Sequence, residues 1–247
     1  AEVGGEHALK EMKEFTEGSR RLNSAYGFDF LYAEQLTPAL VASIAEAWPE
    51  DAGWPTWAFE NHDAPRAISR WAAGEHRDRF ARTKMLLLCS LRGSITLWQG
   101  EELGLPQVDV PFERLQDPEA IANWPQTLSR DGARTPMPWQ SGAPQLGFSE
   151  VEPWLPVGES HGALAVDLQH SRVDSLLRFT AEALKLRNAH PALRGGSMEV
   201  IQADDQLLVF ERSCHGKRLR CAFNLSIEPV QFTPAGDSLF RAGDLHA

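Results

Sequence analysis

Near residue 191 the hydrophobic pattern of the chain changes period. Before that point short apolar runs alternate with helix-spaced patterns; after it, short runs follow one another with only turns between them. TWAFE (56–60) and SITLWQG (94–100) read as buried strands, and GFDFLYA (27–33) places apolar and aromatic residues at strand spacing. LTPALVASIAEAW (36–48) predicts a helix opened by Thr37 as N-cap with Pro38 at its first position. Residues 75–92 put Phe80, Lys84, Leu87, Leu88 and Leu91 on one helical stripe that Gly93 ends. Residues 103–160 carry Pro and Gly and little periodicity. SRVDSLLRFTAEALKLRNAHP (171–191) predicts one helix with Val173, Leu176, Leu177, Thr180 and Leu184 on one face, closed by Pro191. Beyond it, SMEVIQ, QLLVFERS, RLRCAFNLS and VQFTP are strand candidates; in the third, Leu219, Cys221 and Phe223 alternate with polar neighbours.

A chain that returns to a sheet through a helix re-enters it in the same direction, so the first part predicts parallel strands. Three clear strands and a strand end at the very start are too few for a closed eight-stranded barrel, which takes roughly 250 residues. Half a barrel would leave two parallel edges unpaired. The fold class is therefore α/β, either an open parallel sheet or part of a longer protein, followed by a small antiparallel β domain.

With 247 residues, 43% of them hydrophobic, the chain can bury a sizeable core. Its 24 basic and 34 acidic residues give a net charge of -10, which argues against nucleic acid or an anionic membrane as a partner. Cys89, Cys214 and Cys221 are too sparse and odd in number for a disulfide framework. No stretch is long and apolar enough to span a membrane. No His/Cys/Asp cluster has metal-ligand spacing, so neither a metal nor another cofactor is expected. The chain opens AEVGGE, without an initiator Met or a signal peptide. A start further upstream is expected, with a cytoplasmic location and the periplasm as the alternative.

In parallel α/β folds function collects where strands end. Glu2 in AEVGGE, Asn61-His62-Asp63 after TWAF, and Gln99-Gly100-Glu101-Glu102 after SITLW fall at such ends; Arg130 to Arg134 in SRDGARTPMPW lie in the irregular region. Each has a plainer reading. Asp63 fits a helix N-cap, His62 a structural histidine, Arg134 a surface ion pair worth little, and Glu2 a solvated terminal residue. Glu101 and Glu102 are expected to satisfy loop backbone, Trp54, Trp57 and Trp98 to be core, and His161 and His190 to lie at the surface or cap helices.

Taken together, these stretches resemble the α-amylase superfamily of glycoside hydrolases (family 13), in its α-glucosidase and oligo-1,6-glucosidase branch. FENHDAPR (59–66) looks like the family's Asn-His-Asp stretch at the end of barrel strand seven, and GSITLWQGEELGL like strand eight and its loop. SRDGARTPMPW resembles a segment of α-glucosidases and trehalose synthases, and AEVGG the end of strand five. The resemblance covers nearly the whole chain. It implies the C-terminal half of a (β/α)8 TIM barrel over residues 1–191 and a small antiparallel β-sandwich, short of its final strand, over 192–247. The upstream half of the same polypeptide would carry the nucleophile, since no Gly-Phe-Arg-x-Asp-like stretch occurs here.

Family members are retaining glycosidases, and a retaining reaction needs two carboxyl groups about 5–5.5 Å apart. The resemblance implies Glu2 as the acid/base and Asp63 as the transition-state stabiliser. It implies His62 and Arg134 as sugar ligands, with Asn61 orienting its neighbours through backbone contacts. Arg66 is expected either at the pocket rim or in a local ion pair, and Phe28 either lining the pocket or in the barrel core. The expected substrate is a small α-glucoside such as maltose, isomaltose or sucrose, hydrolysed or used to transfer glucose. The alternatives are a disaccharide-rearranging relative, such as a trehalose synthase or sucrose isomerase, and a non-enzymatic relative of the same fold. Without the nucleophile, the chain alone is expected to be inactive.

Overall fold

The computed structural model describes residues 1–48, 53–72, 76–127, 129–234 and 236–243. In chain order they form α1 (Ala8–Thr16), α2 (Pro38–Glu46), β1 (Thr56–Ala58), α3 (Ala67–Trp71), α4 (Arg77–Ser90), β2 (Ser94–Thr96), α5 (Pro118–Ala122), α6 (Val166–Ser171), α7 (Leu176–Ala189), α8 (Pro191–Gly195), β3 (Ser197–Ala203), β4 (Leu207–Cys214) and β5 (Lys217–Asn224). Single 3-10 turns punctuate the stretch between β2 and α6. The chain makes two compact units. The first is Ala1–Phe59 with Arg82–Thr96 and Glu182–Ala247; the second is Glu60–Ala81 with Leu97–Ala181.

In the first unit β1 and β2 pair in parallel, as the alternation predicts, with Thr56 opposite Ser94 and Ala58 opposite Thr96. Glu2 and Tyr26 add a single parallel bridge. GFDFLYA is not a strand: past Tyr26 the chain turns, and Phe30 and Leu31 enter the core while Tyr32 stays outside. Its alternation reflects ring packing, since Phe30 meets Trp57 and Phe59 edge-on with centroids 5.7 and 4.9 Å apart. β2 is shorter and wetter than the expected buried strand. α2 begins as predicted, with Thr37 Oγ1 accepting the Leu40 N–H at 3.2 Å and Pro38 at the first position.

α4 buries Lys84, Leu87 and Leu88, and residue 75, where its start is expected, lies outside the described residues. Its C-terminal end is met by two buried guanidinium groups. Arg187 Nη1 donates to the carbonyls of Cys89 (2.7 Å) and Leu91 (3.0 Å), and its Nη2 to that of Gly93. Arg212 Nη1 donates to the Ser90 carbonyl at 2.6 Å, and its other nitrogens to Ser197 and Gly196. Of these, the Cys89 and Ser90 carbonyls belong to the last turn of α4, which leaves them without a helical partner at the negative end of its dipole. Burial pulls the Arg212 pKa down to about 10, and Arg187 and Arg92 repel its charge further.

The antiparallel part is a three-stranded sheet in the order β3-β4-β5, with a bulge between Val200 and Gln202. VQFTP, the expected fourth strand, forms none. The expected helix over 171–191 starts only at Leu176, after a break from α6, which ends at Ser171. Ser175 Oγ donates to the Gln169 carbonyl at the end of α6 and accepts the Arg178 N–H in the first turn of α7, while Val173 between them is 91% exposed. In the second unit, Leu103, Leu105 and Met137 form one buried apolar cluster and Val110, Leu115, Ala120 and Leu155 another. Among the described residues no helix is long and apolar enough to cross a membrane.

Candidate active site

The loop that follows β1 is closed at its base by a buried ion pair. Arg66 Nη1 lies 3.1 Å from Glu60 Oε2, with the two side chains 1% and 2% exposed. The same Nη1 donates to the Gln99 carbonyl at 2.7 Å, and Glu60 Oε1 accepts the Ala67 N–H at 3.2 Å. Inside this ring Asn61 Oδ1 accepts the N–H groups of Asp63 (2.9 Å) and Ala64 (2.7 Å), an Asx turn that fixes the backbone under Asp63. Asn61 thus orients the residues after it. Arg66 thus sits in a local ion pair, with its side chain buried.

Asp63 is 24% exposed and carries three contacts on one oxygen. Arg134 Nη2 donates to Oδ1 at 2.7 Å, Arg130 Nη1 at 3.4 Å, and His62 Nε2 lies 3.5 Å from the same atom. Arg134 Nε also donates to the His62 carbonyl at 2.7 Å, so one planar guanidinium ties the two residues together. Trp98 flanks them. Its ring centroid is 5.9 Å from that of His62, and its Nε1 donates to the Ala133 carbonyl at 2.8 Å. Glu101 and Glu102 satisfy loop backbone as expected, accepting the N–H groups of Trp98 and Gly100. Burial pushes the Glu102 carboxyl above the usual range.

Arg130 and Asp117 are the residues that sequence reasoning missed. Arg130 stands on the 3-10 turn Arg130–Ala133, capped by Ser129 Oγ on the Asp131 N–H. Its Nε and Nη2 grip the two oxygens of Asp117 at 2.9 and 2.6 Å, a bidentate pair that holds the Asp117 carboxyl well below its ordinary range. Arg130 shares the segment SRDGARTPMPW with Arg134, and only geometry separates their roles. Asp117 before Pro118 carries the signal of an N-cap, and it is one, accepting the Glu119 N–H at 3.2 Å. His161 departs from expectation. It is fully buried, and burial lowers its pKa.

Asn61, His62, Asp63, Arg66 and Arg134 therefore come together in the second unit. Glu2 and Phe28 belong to the first. Glu2 is exposed in its bridge with Tyr26. Phe28 is half-buried, edge-on to Tyr32 at 5.4 Å, and lies so close to Gly4 that a Cβ there would stand 2.7 Å from its ring. Among the described residues no group of three His, Cys, Asp or Glu could hold a metal ion.

A carboxylate oriented through one oxygen by two guanidinium groups, beside an imidazole and an indole, is suited to polyhydroxylated ligands. Residues 12–196 match the family described as alpha amylase, catalytic domain. The chain belongs to the α-amylase family. This α-amylase-family chain is 42% identical, over 232 residues, to a probable alpha-glucosidase of Rhizobium meliloti (strain 1021), a match covering 92% of the chain and 42% of that relative. It is 31% identical over 215 residues to the probable oligo-1,6-glucosidase 2 of Bacillus subtilis (strain 168), covering 77% of the chain and 38% of that relative. Among solved structures, the alpha-glucosyl transfer enzyme XgtA superposes with a TM-score of 0.88 at 42% identity, over 96% of this chain and 44% of its own. The trehalulose synthase MutB of Pseudomonas mesoacidophila MX-45 gives 0.82 at 24% identity, over 96% and 49%, a likeness of fold alone. The α-amylase-family chain spans about two fifths of the length of the curated relatives it matches.

Proposed function

We propose that the chain is the C-terminal part of a retaining α-glucosidase. In this reading residues 1–191 complete a (β/α)8 barrel begun by upstream residues, and residues 192–247 form a small β-sandwich domain after it. The observation that carries it is the Arg134–Asp63 contact at 2.7 Å beside His62, in a chain 42% identical to a probable alpha-glucosidase.

The chemistry follows from the groups present. Cleaving a glycosidic bond builds positive charge on the sugar ring, which a fixed carboxylate stabilises. Asp63 supplies that carboxylate, pre-oriented through Oδ1. His62 and Arg134 offer donors to sugar hydroxyls, and Asn61 and Arg66 hold the loop. Glu2 donates a proton to the departing oxygen and later takes one from water, the two duties of the acid/base in a double displacement. Phe28 lines the sugar pocket beside it. The nucleophile comes from upstream residues. Maltose, isomaltose and sucrose are the substrates to try, and the cytoplasm is the proposed setting.

Transfer of glucose to an acceptor other than water is the second reading, favoured by the equal identity to a glucosyl transfer enzyme. The test uses the complete polypeptide and p-nitrophenyl α-glucoside, with and without a small alcohol. Release of nitrophenol with retained configuration is expected, and partition toward the alkyl glucoside marks transfer. Glu2→Gln should abolish turnover of an α-glucoside with a poor leaving group; unchanged turnover removes the acid assignment. The isolated 247 residues should hydrolyse nothing, and robust activity from them would reject the upstream nucleophile.

A further inference from the structure

The geometry points to Asp117 as a positioning residue that aims Arg130 at Asp63 and so sets which oxygen of Asp63 faces the substrate. This rests on the reading of Asp63 as the transition-state stabiliser. Asp117 touches no substrate, because its side chain is fully buried. It is the hub of a dense set of contacts. Oδ2 accepts both the backbone N–H (3.0 Å) and Nε (2.9 Å) of Arg130, and Oδ1 accepts Nη2 (2.6 Å) and the Glu119 N–H. The neighbouring Asp131 returns the lock, its Oδ2 accepting the N–H groups of Gln116 (2.6 Å) and Asp117 (2.9 Å). The two segments thus hold each other in register by crossed carboxylates.

A bidentate grip leaves a guanidinium one remaining edge. For Arg130 that edge is Nη1, and it points at Asp63 Oδ1. Arg134 Nη2 and His62 Nε2 approach the same oxygen. Two guanidinium donors on Oδ1, with His62 Nε2 3.5 Å from it, leave Oδ2 without a hydrogen bond among the described residues. With the Asp117 grip gone, a flexible arginine only 32% exposed would be free to swing to either oxygen of Asp63.

The test is a double-mutant cycle in the complete enzyme with p-nitrophenyl α-glucoside. Asp117→Asn keeps shape but puts an NH2 where Arg130 needs an acceptor. It should lower kcat/KM about tenfold, mainly in kcat, as expected for a loss felt in the transition state. Arg130→Gln should cost at least as much. The deciding measurement is Asp117→Asn on the Arg130→Gln background, where it should have no further effect, because residues acting through one another are not additive. Multiplying effects, or a neutral Asp117→Asn, would overturn the role. If Asp117→Asn does not fold, Asp117→Glu keeps the buried charge, displaces the carboxylate by one methylene, and enters the same cycle with the same expectation. An inactive parent enzyme would overturn the α-glucosidase reading and this inference together, whereas an active parent with an additive cycle overturns this inference alone.

Discussion

Among the described residues, both guanidinium donors to Asp63 meet on one of its two oxygens, and that asymmetry explains why the two arginines are not spares for each other. Arg134 spans from the His62 carbonyl to Asp63, which needs two N–H groups in one plane. A lysine offers a point charge without the fork. Arg134→Lys should therefore lower kcat/KM of the complete enzyme about tenfold or more, by steady-state assay. His62, Asp63 and Arg134 were legible in the sequence because two short segments carry them. Asp117 was not, since a buried carboxylate paired with an arginine elsewhere in the chain leaves no local pattern, and its Asp-Pro context signals only a cap. A separate residue-scale expectation concerns Cys221, whose thiol burial pushes up to about 11. At pH 8 it stays protonated, and the thiolate is the reactive form. Brief alkylation at that pH followed by peptide mapping should leave Cys221 unmodified, as well as the buried Cys89.

At the scale of elements, the Glu60–Arg66 pair is the pin of the loop after β1. Removing one partner strands a buried charge, so Arg66→Met should destabilise the fold by about 3–5 kcal/mol, while Glu60→Gln with Arg66→Met should cost much less. Equilibrium denaturation of both variants checks this; equal losses would contradict a charge-pairing role. The start of α2 was readable down to its cap, because Thr-Pro is a local signal, and Thr37→Ala should cost about 1 kcal/mol in the same measurement. The break between α6 and α7 was harder to see. Ser175 is an N-cap in a sequence whose apolar spacing runs straight through it, and only its bond back to Gln169 reveals that one helix ends before another starts. GFDFLYA misled for a related reason: aromatic residues that bury from a turn can mimic the period of a strand.

At the scale of the whole molecule, the change of period near residue 191 does mark where helices give way to antiparallel strands. The grouping into units was not legible, because it depends on contacts between distant segments. The first unit draws on three separate stretches. The carbonyls at the end of α4 wait for Arg187 and Arg212, which follow 98 to 122 residues later. On a ribosome adding about 5–20 residues each second, that separation is a delay of roughly 5 to 25 seconds. Throughout it the end of this helix can bond only to water or to whatever is nearby. The last turn of α4 therefore gains these two partners only after every residue of the second unit has been added to the chain.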